Sequence, residues 1–109
     1  MVFDKTLYSK VKKVADNQKH LMDMKMFGGV GFLLKGNMCF GVYKDFLILR
    51  LGPEEANKAL TKKHVKDFDI TGRPMKGWVM VHHKGLSEKH ALTGWIDLAY
   101  KFVDQMPRK

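Results

Sequence analysis

Between Lys25 and Tyr43 the chain reads KMFGGVGFLLKGNMCFGVY, and a glycine-rich run this close to lysine first suggests phosphate binding. Gly31 and Gly36 have the spacing of GxxxxGK[ST], but Asn37 stands where the phosphate-binding lysine belongs and Met38 where the magnesium-binding hydroxyl belongs. The dinucleotide pattern GxGxxG fails as well, because Gly29 and Gly31 are followed by Leu34. Both patterns need a loop that opens a helix, whose free N–H groups hold the anion, whereas this stretch reads strand to strand. Gly36 followed by Asn37 suits a tight hairpin with positive φ. Gly28, Gly29 and Gly31 suit a bulge or a close approach of another backbone.

Five histidines raise metal binding. His82 and His83 are adjacent on an expected strand, so their side chains should point to opposite faces and not share an ion. His20, His64 and His90 fall on different elements without ligand spacing. Cys39, between Met38 and Phe40, reads as a packed, inert thiol rather than a nucleophile. No Ser-His-Asp, paired-carboxylate or zinc pattern is present, so no catalytic, cofactor or metal residues are expected and the chain reads as non-enzymatic. The polar residues that stand out are Arg50, at the end of an apolar strand, and Arg73, in a Gly/Pro-shaped loop that could aim a guanidinium at an anion. With Met75 and Trp78 they form a candidate partner-binding set.

The net charge of +9 would attract polyanions. It is spread almost evenly along the chain, unlike the concentrated basic element of a dedicated nucleic-acid reader. Weak, sequence-tolerant nucleic-acid binding is the alternative function, along an edge of Lys58, Lys62, Lys63 and Lys66 and the first helix. At 109 residues, 45% of them apolar, the chain reads as one domain over residues 1–109 with one modest core. No apolar run approaches a membrane span and no signal-peptide pattern opens the chain. The single cysteine suits a reducing compartment, so a cytoplasmic location is expected.

The elements that would position these residues follow from periodicity. From about Asp4 to His20, Leu7, Val11, Val14 and Ala15 have helical spacing, with Asp4 as N-cap. Residues 30–34, 38–43 and 46–51 read as strands joined by the turns KGN and KD. Pro53, Glu54 and Glu55 open a second helix, and Lys58, Lys62 and Lys66 share one edge if it runs that far. A short strand near Phe68 to Ile70, the strand WVMVHH, and a last helix capped by Ser87 complete the order α-β-β-β-α-β-β-α. Ala91, Leu92, Trp95, Leu98, Ala99, Phe102 and Met106 give that helix a wide apolar face. The expected architecture is α+β, with a five-stranded antiparallel sheet. Alternation places Phe46 and Ile48 opposite Leu47, Leu49 and Leu51, and Met38, Phe40 and Val42 opposite Cys39 and Tyr43. A sheet apolar on both faces wants a second cover, which a partner protein or a second copy of the chain could supply.

The blocks KMFGGVGF, GNMCFGV, LILRLGPEEA, TGRPMKGWVMV and LTGWIDLAYKFV, in this order from about Val2 to Pro107, resemble the N-terminal domain of the TfoX/Sxy family. Met26, Phe27, Gly28 and Gly29 carry one block, Gly36, Asn37, Met38 and Cys39 another, and Gly72, Arg73, Pro74 and Met75 a third. The resemblance implies a two-layer α/β sandwich and a regulatory or protein-interaction role. Founding members regulate natural competence, together with the catabolite activator protein, and carry a second domain. The resemblance brings no catalytic or cofactor residues with it. The chain departs from its relatives at His82 to Gly85, where an acidic, proline-containing segment becomes HHKG.

Overall fold

The computed structural model describes residues 4–18, 20–26, 29–69, 75–86 and 90–107. Helix α1 is Lys5–Asp16, and the Asp4 carboxylate caps it by accepting from the Leu7 N–H at 3.0 Å. Its buried residues Leu7, Val11 and Ala15 lie on the apolar stripe expected from their spacing. The helix ends short of His20, and the chain enters a strand absent from the expected order, β1 (Leu21–Met26). Then follow β2 (Gly29–Leu34), β3 (Asn37–Tyr43), β4 (Phe46–Arg50), α2 (Pro53–Ala59), β5 (Val65–Asp67), β6 (Trp78–His82), a 3-10 turn (His83–Leu86) and α3 (Ala91–Asp104).

Among the described residues the sheet is antiparallel with six strands, not five, in the order β1-β2-β3-β4-β6-β5. The residues of β1 alternate Met22, Asp23, Met24, Lys25, which is a strand signature. Methionine is a weak strand former, and the helical pattern upstream masks the change of period. The fifth strand covers Val65–Asp67, just before Phe68, where the expected strand began; Ile70 lies outside the described residues. Ser87 lies outside the described residues, and α3 starts after His90 with no side-chain cap. Among the described residues no helix is long and apolar enough to cross a membrane.

The turn between β2 and β3 is centred on Lys35 (φ +56°) and Gly36 (φ +84°), the two positive φ values a tight hairpin of this hand needs. It therefore falls one residue before Gly36–Asn37. Asn37 is instead a buried strand residue whose Nδ2 donates to the Pro107 carbonyl at 2.9 Å, tying the chain's far end to the hairpin. The expected close approach of backbone is met at Gly29, where an added Cβ would run into the Val42 carbonyl oxygen. Gly28 lies outside the described residues.

Helices α1, α2 and α3 pack against one sheet face. Val30, Phe32, Phe40, Val42, Leu47, Leu49, Val79 and Val81 meet Leu7, Val11, Ala56, Leu92, Ile96, Ala99 and Val103 in the main core. The alternation expected for β3 holds at Phe40 and Val42 but fails at Met38. The pairing passes from Phe32–Phe40 to Leu33–Met38, so Cys39 is an extra residue on its strand. This bulge turns Cys39 into the main core and sends Met38 to the opposite face, over Gly41.

The opposite face has a small core of its own. Ile48 and Met80 are buried beneath Phe68, with Met38, Tyr43, Phe46 and Trp78 packed around them. The expected need for a second cover is thus met in part within the chain, because the backbone after β5 folds Phe68 over β4 and β6.

Candidate functional site

The helix-free face differs from one side to the other. On the β4-β6-β5 side, Phe68 lies tilted against Trp78 with ring centroids 5.5 Å apart, and the Arg50 guanidinium lies 5.3 Å from the Trp78 ring centroid. The Met75 N–H donates to the Phe68 carbonyl at 3.0 Å and the Trp78 N–H to the Met75 carbonyl at 3.1 Å. Three members of the expected partner-binding set, Arg50, Met75 and Trp78, are therefore neighbours. Arg73 lies outside the described residues.

On the β1-β2-β3 side nothing comparable covers the sheet among the described residues. Met22 is 74% exposed and Met24 52% exposed. Their register partners are Leu33 and Gly31, which places both methionines on the helix-free face. Asp23 and Lys25 pair with Phe32 and Val30 and so face the helix side, where the Tyr8 hydroxyl donates to Asp23 Oδ2 at 3.3 Å. Beside β1 runs a groove of about 460 Å³ that reaches Leu33 and Lys35. β1 is also an edge strand, with one flank of its backbone unpaired within the sheet. The alternating Met22-Asp23-Met24-Lys25 pattern was the available sign of this surface.

The expected lysine edge does not form. Helix α2 stops at Ala59, so Lys58, Lys62 and Lys66 are not on one helix. Lys58 pairs with Glu55 at 3.6 Å, an exposed contact one turn away that contributes little to stability. Lys66 is on β5 and turns to the helix-free face, its Nζ 5.2 Å from the Phe46 ring centroid. Lys62 and Lys63 instead line a cleft of about 520 Å³ at the opposite end of the sheet from β1, together with His64, Lys84, His90 and Trp95. The Lys62 Nζ lies 5.2 Å from the Trp95 ring centroid, an exposed cation–π contact worth about 0.5–1 kcal/mol.

The histidine expectation also changes. β6 ends at His82 and the chain turns at His83, so the two rings do not diverge; their centroids are 4.4 Å apart. Asp45, His82 and His83 each place a ligand atom within 4.8 Å of the others. However, His82 Nδ1 accepts from the Lys84 N–H at 3.2 Å. A neutral imidazole that accepts at Nδ1 carries its proton on Nε2, so neither nitrogen has a lone pair to give a metal while that bond holds. Burial, then the neighbouring His83, keeps the His82 pKa below the usual imidazole value.

Cys39 is fully enclosed, and burial pushes its thiol up to about 12, against a smaller opposing effect of Arg50. The packed-thiol reading fits this environment. Native protein at pH 8 is expected to react with a thiol reagent such as Ellman's only at the rate of unfolding, and rapidly in denaturant. The folded pKa lies above the unfolded one, so the unfolded state loses its proton first as pH rises. This group's contribution is complete below about pH 8.5 and falls by up to about 1.4 kcal/mol per pH unit between there and the folded pKa. Urea unfolding of wild type and Cys39→Ala across pH 8–10 isolates that slope.

Residues 13–103 match the family model described as the TfoX N-terminal domain. No curated protein and no solved structure matches the chain.

Proposed function

Because the chain belongs to the TfoX N-terminal domain family, we propose that it is a non-enzymatic regulatory protein-interaction module whose working surface is the edge strand β1 and the open sheet face beside it. The observation that carries this reading is the exposure of Met22 and Met24 on an edge strand, next to a face that Phe68 closes only on its other side. An exposed edge is a template for another strand, and apolar residues along it add contact area to the main-chain hydrogen bonds.

The occupant that the residues favour is a second copy of the chain. If two β1 strands pair antiparallel about a two-fold axis at Met24, Asp23 faces Lys25 twice and Met24 faces itself. Opposite charges directly across a strand pair contribute roughly 0.2–1 kcal/mol each, and like charges oppose pairing by similar amounts. The isologous arrangement repeats each favourable pair.

A charge swap tests both the surface and the register. Sedimentation velocity at tens of micromolar should show a dimer for wild type. Asp23→Lys and Lys25→Asp should each be monomeric, since each sets like charges face to face. The double variant Asp23→Lys/Lys25→Asp should recover the dimer. A monomeric wild type, or a double variant that fails to recover, removes β1 self-pairing. Met22→Lys/Met24→Lys should also be monomeric without loss of fold, because both side chains are already exposed.

A further inference from the structure

We propose that the cleft at the β5 end of the molecule binds a nucleobase together with its phosphate, as found in single-stranded nucleic acid or a free nucleotide. The cleft is assembled from three segments: the turn after α2, the 3-10 turn after β6, and the first turns of α3. From these come Lys62, Lys63, His64, Lys84 and His90, a set of nitrogen-bearing side chains, around the half-buried indole of Trp95. No acidic side chain is among the described residues that line it. Lys62 and Lys63 make no ion pair with a carboxylate of the described residues.

Two backbone features shape the opening. His64 has φ +70°, a left-handed conformation that costs a residue with a side chain about a factor of ten in population. It is held there because its carbonyl accepts the His82 N–H at 2.9 Å. An alanine Cβ at Gly85 would come within 3.0 Å of the His64 Cβ, so a glycine there lets His64 sit against the wall. At Gly94, one residue before Trp95, an added Cβ would meet nothing within 4 Å, which leaves that side of the cleft open. A strained residue that the surrounding structure holds at the rim of a concave basic site suggests use by a ligand.

The pairing of one indole with several cations selects the ligand class. A bare anion would use the lysines and leave Trp95 idle, while an uncharged ring would do the reverse. A nucleotide unit uses both. A base stacked on an indole is worth more than an exposed cation–π contact, so the base can take the place of Lys62 over the ring and release that ammonium to the phosphate. The cleft lies at the β5 end of the sheet and the proposed docking edge at the β1 end, so each can fail without the other.

The experiment titrates the protein with fluorescein-labelled single-stranded oligothymidylate and oligouridylate, and with thymidine and uridine monophosphates, at low salt. Lys62→Glu/Lys63→Glu should weaken oligonucleotide binding by about 10-fold or more, because it replaces phosphate attraction with repulsion. The charge-matched control Lys13→Glu/Lys101→Glu, both exposed on helices outside the cleft, should change it by less than about 3-fold. Equal losses in the two variants overturn the proposal, since binding would then be diffuse attraction to net charge. In Trp78→Phe, which leaves Trp95 as the only tryptophan, indole fluorescence should be quenched along the same binding curve. Unchanged fluorescence at saturation overturns the stacking role. Monophosphate binding without tighter oligonucleotide binding supports the proposal with a free nucleotide as the source. No binding of either probe at low salt overturns it.

Discussion

Phe32→Ala is expected to lower the unfolding free energy by about 3–5 kcal/mol, the range for removing a buried phenylalanine side chain. Phe32 is 1% exposed and stacks between Phe40 of β3, centroids 4.9 Å apart, and Tyr8 of α1, centroids 6.4 Å apart. It thus joins the first helix to the centre of the sheet, next to the bulge at Cys39 where the strand pairing changes step. That position limits collapse of the cavity, because α1 and β3 are each held by their own hydrogen bonds. Small domains are stable by only about 5–15 kcal/mol, so the variant would lose from about a fifth of the total to nearly all of it. Urea titration should show a lower midpoint with an unchanged slope, and the melting temperature should fall by at least about 12 °C at roughly 4 °C per kcal/mol. Asp23, register partner of Phe32 on β1, makes the effect functional as well. Loosening β2 loosens the edge strand that the proposed self-pairing uses.

The second large effect is a glycine-to-alanine change whose sign depends on its place. Gly29→Ala is expected to cost about 3 kcal/mol or to prevent folding. Its Cβ would meet the Val42 carbonyl oxygen, a main-chain atom in a central hairpin that cannot rotate aside, so strands β2 and β3 must separate. Gly94→Ala should instead stabilise by roughly 0.5–1 kcal/mol, since the position is helical, exposed and without any atom near the added methyl. Parallel thermal melts of the two variants decide the matter. A neutral Gly29→Ala would mean that the two strands are not in the contact described, and a destabilising Gly94→Ala would mean that α3 begins later than Ala91.

The apolar stripes of Leu7, Val11 and Ala15 and of Leu92 and Ala99, the Asp4 cap, Pro53 opening α2, and the two hairpins were legible because each depends on residues within a few positions of one another. The family was legible for a related reason, as ordered blocks of local sequence. Three features escaped. β1 was hidden by methionines where β-branched residues would have announced a strand. The bulge at Cys39 carries no residue signature, and it moved Met38 to the other face. The lysine edge was drawn along a helix that ends at Ala59, before Lys62 and Lys66.

What the amino-acid order determined by itself was therefore the kind of element at most positions, the non-nucleotide character of the glycine run and the membership in a family. Only the tertiary structure decided which surfaces are available. Phe68 folds over Met80 and Ile48 and so closes one half of the helix-free face, leaving Met22 and Met24 at the other edge. Lys62, Lys84 and Trp95, each unremarkable where it stands in the chain, share a cleft because two turns and the start of α3 meet at the end of the sheet. Periodicity records how a residue sits relative to its neighbours along one element. Exposure and convergence depend on how distant segments pack, and that is set by the summed burial of the whole core.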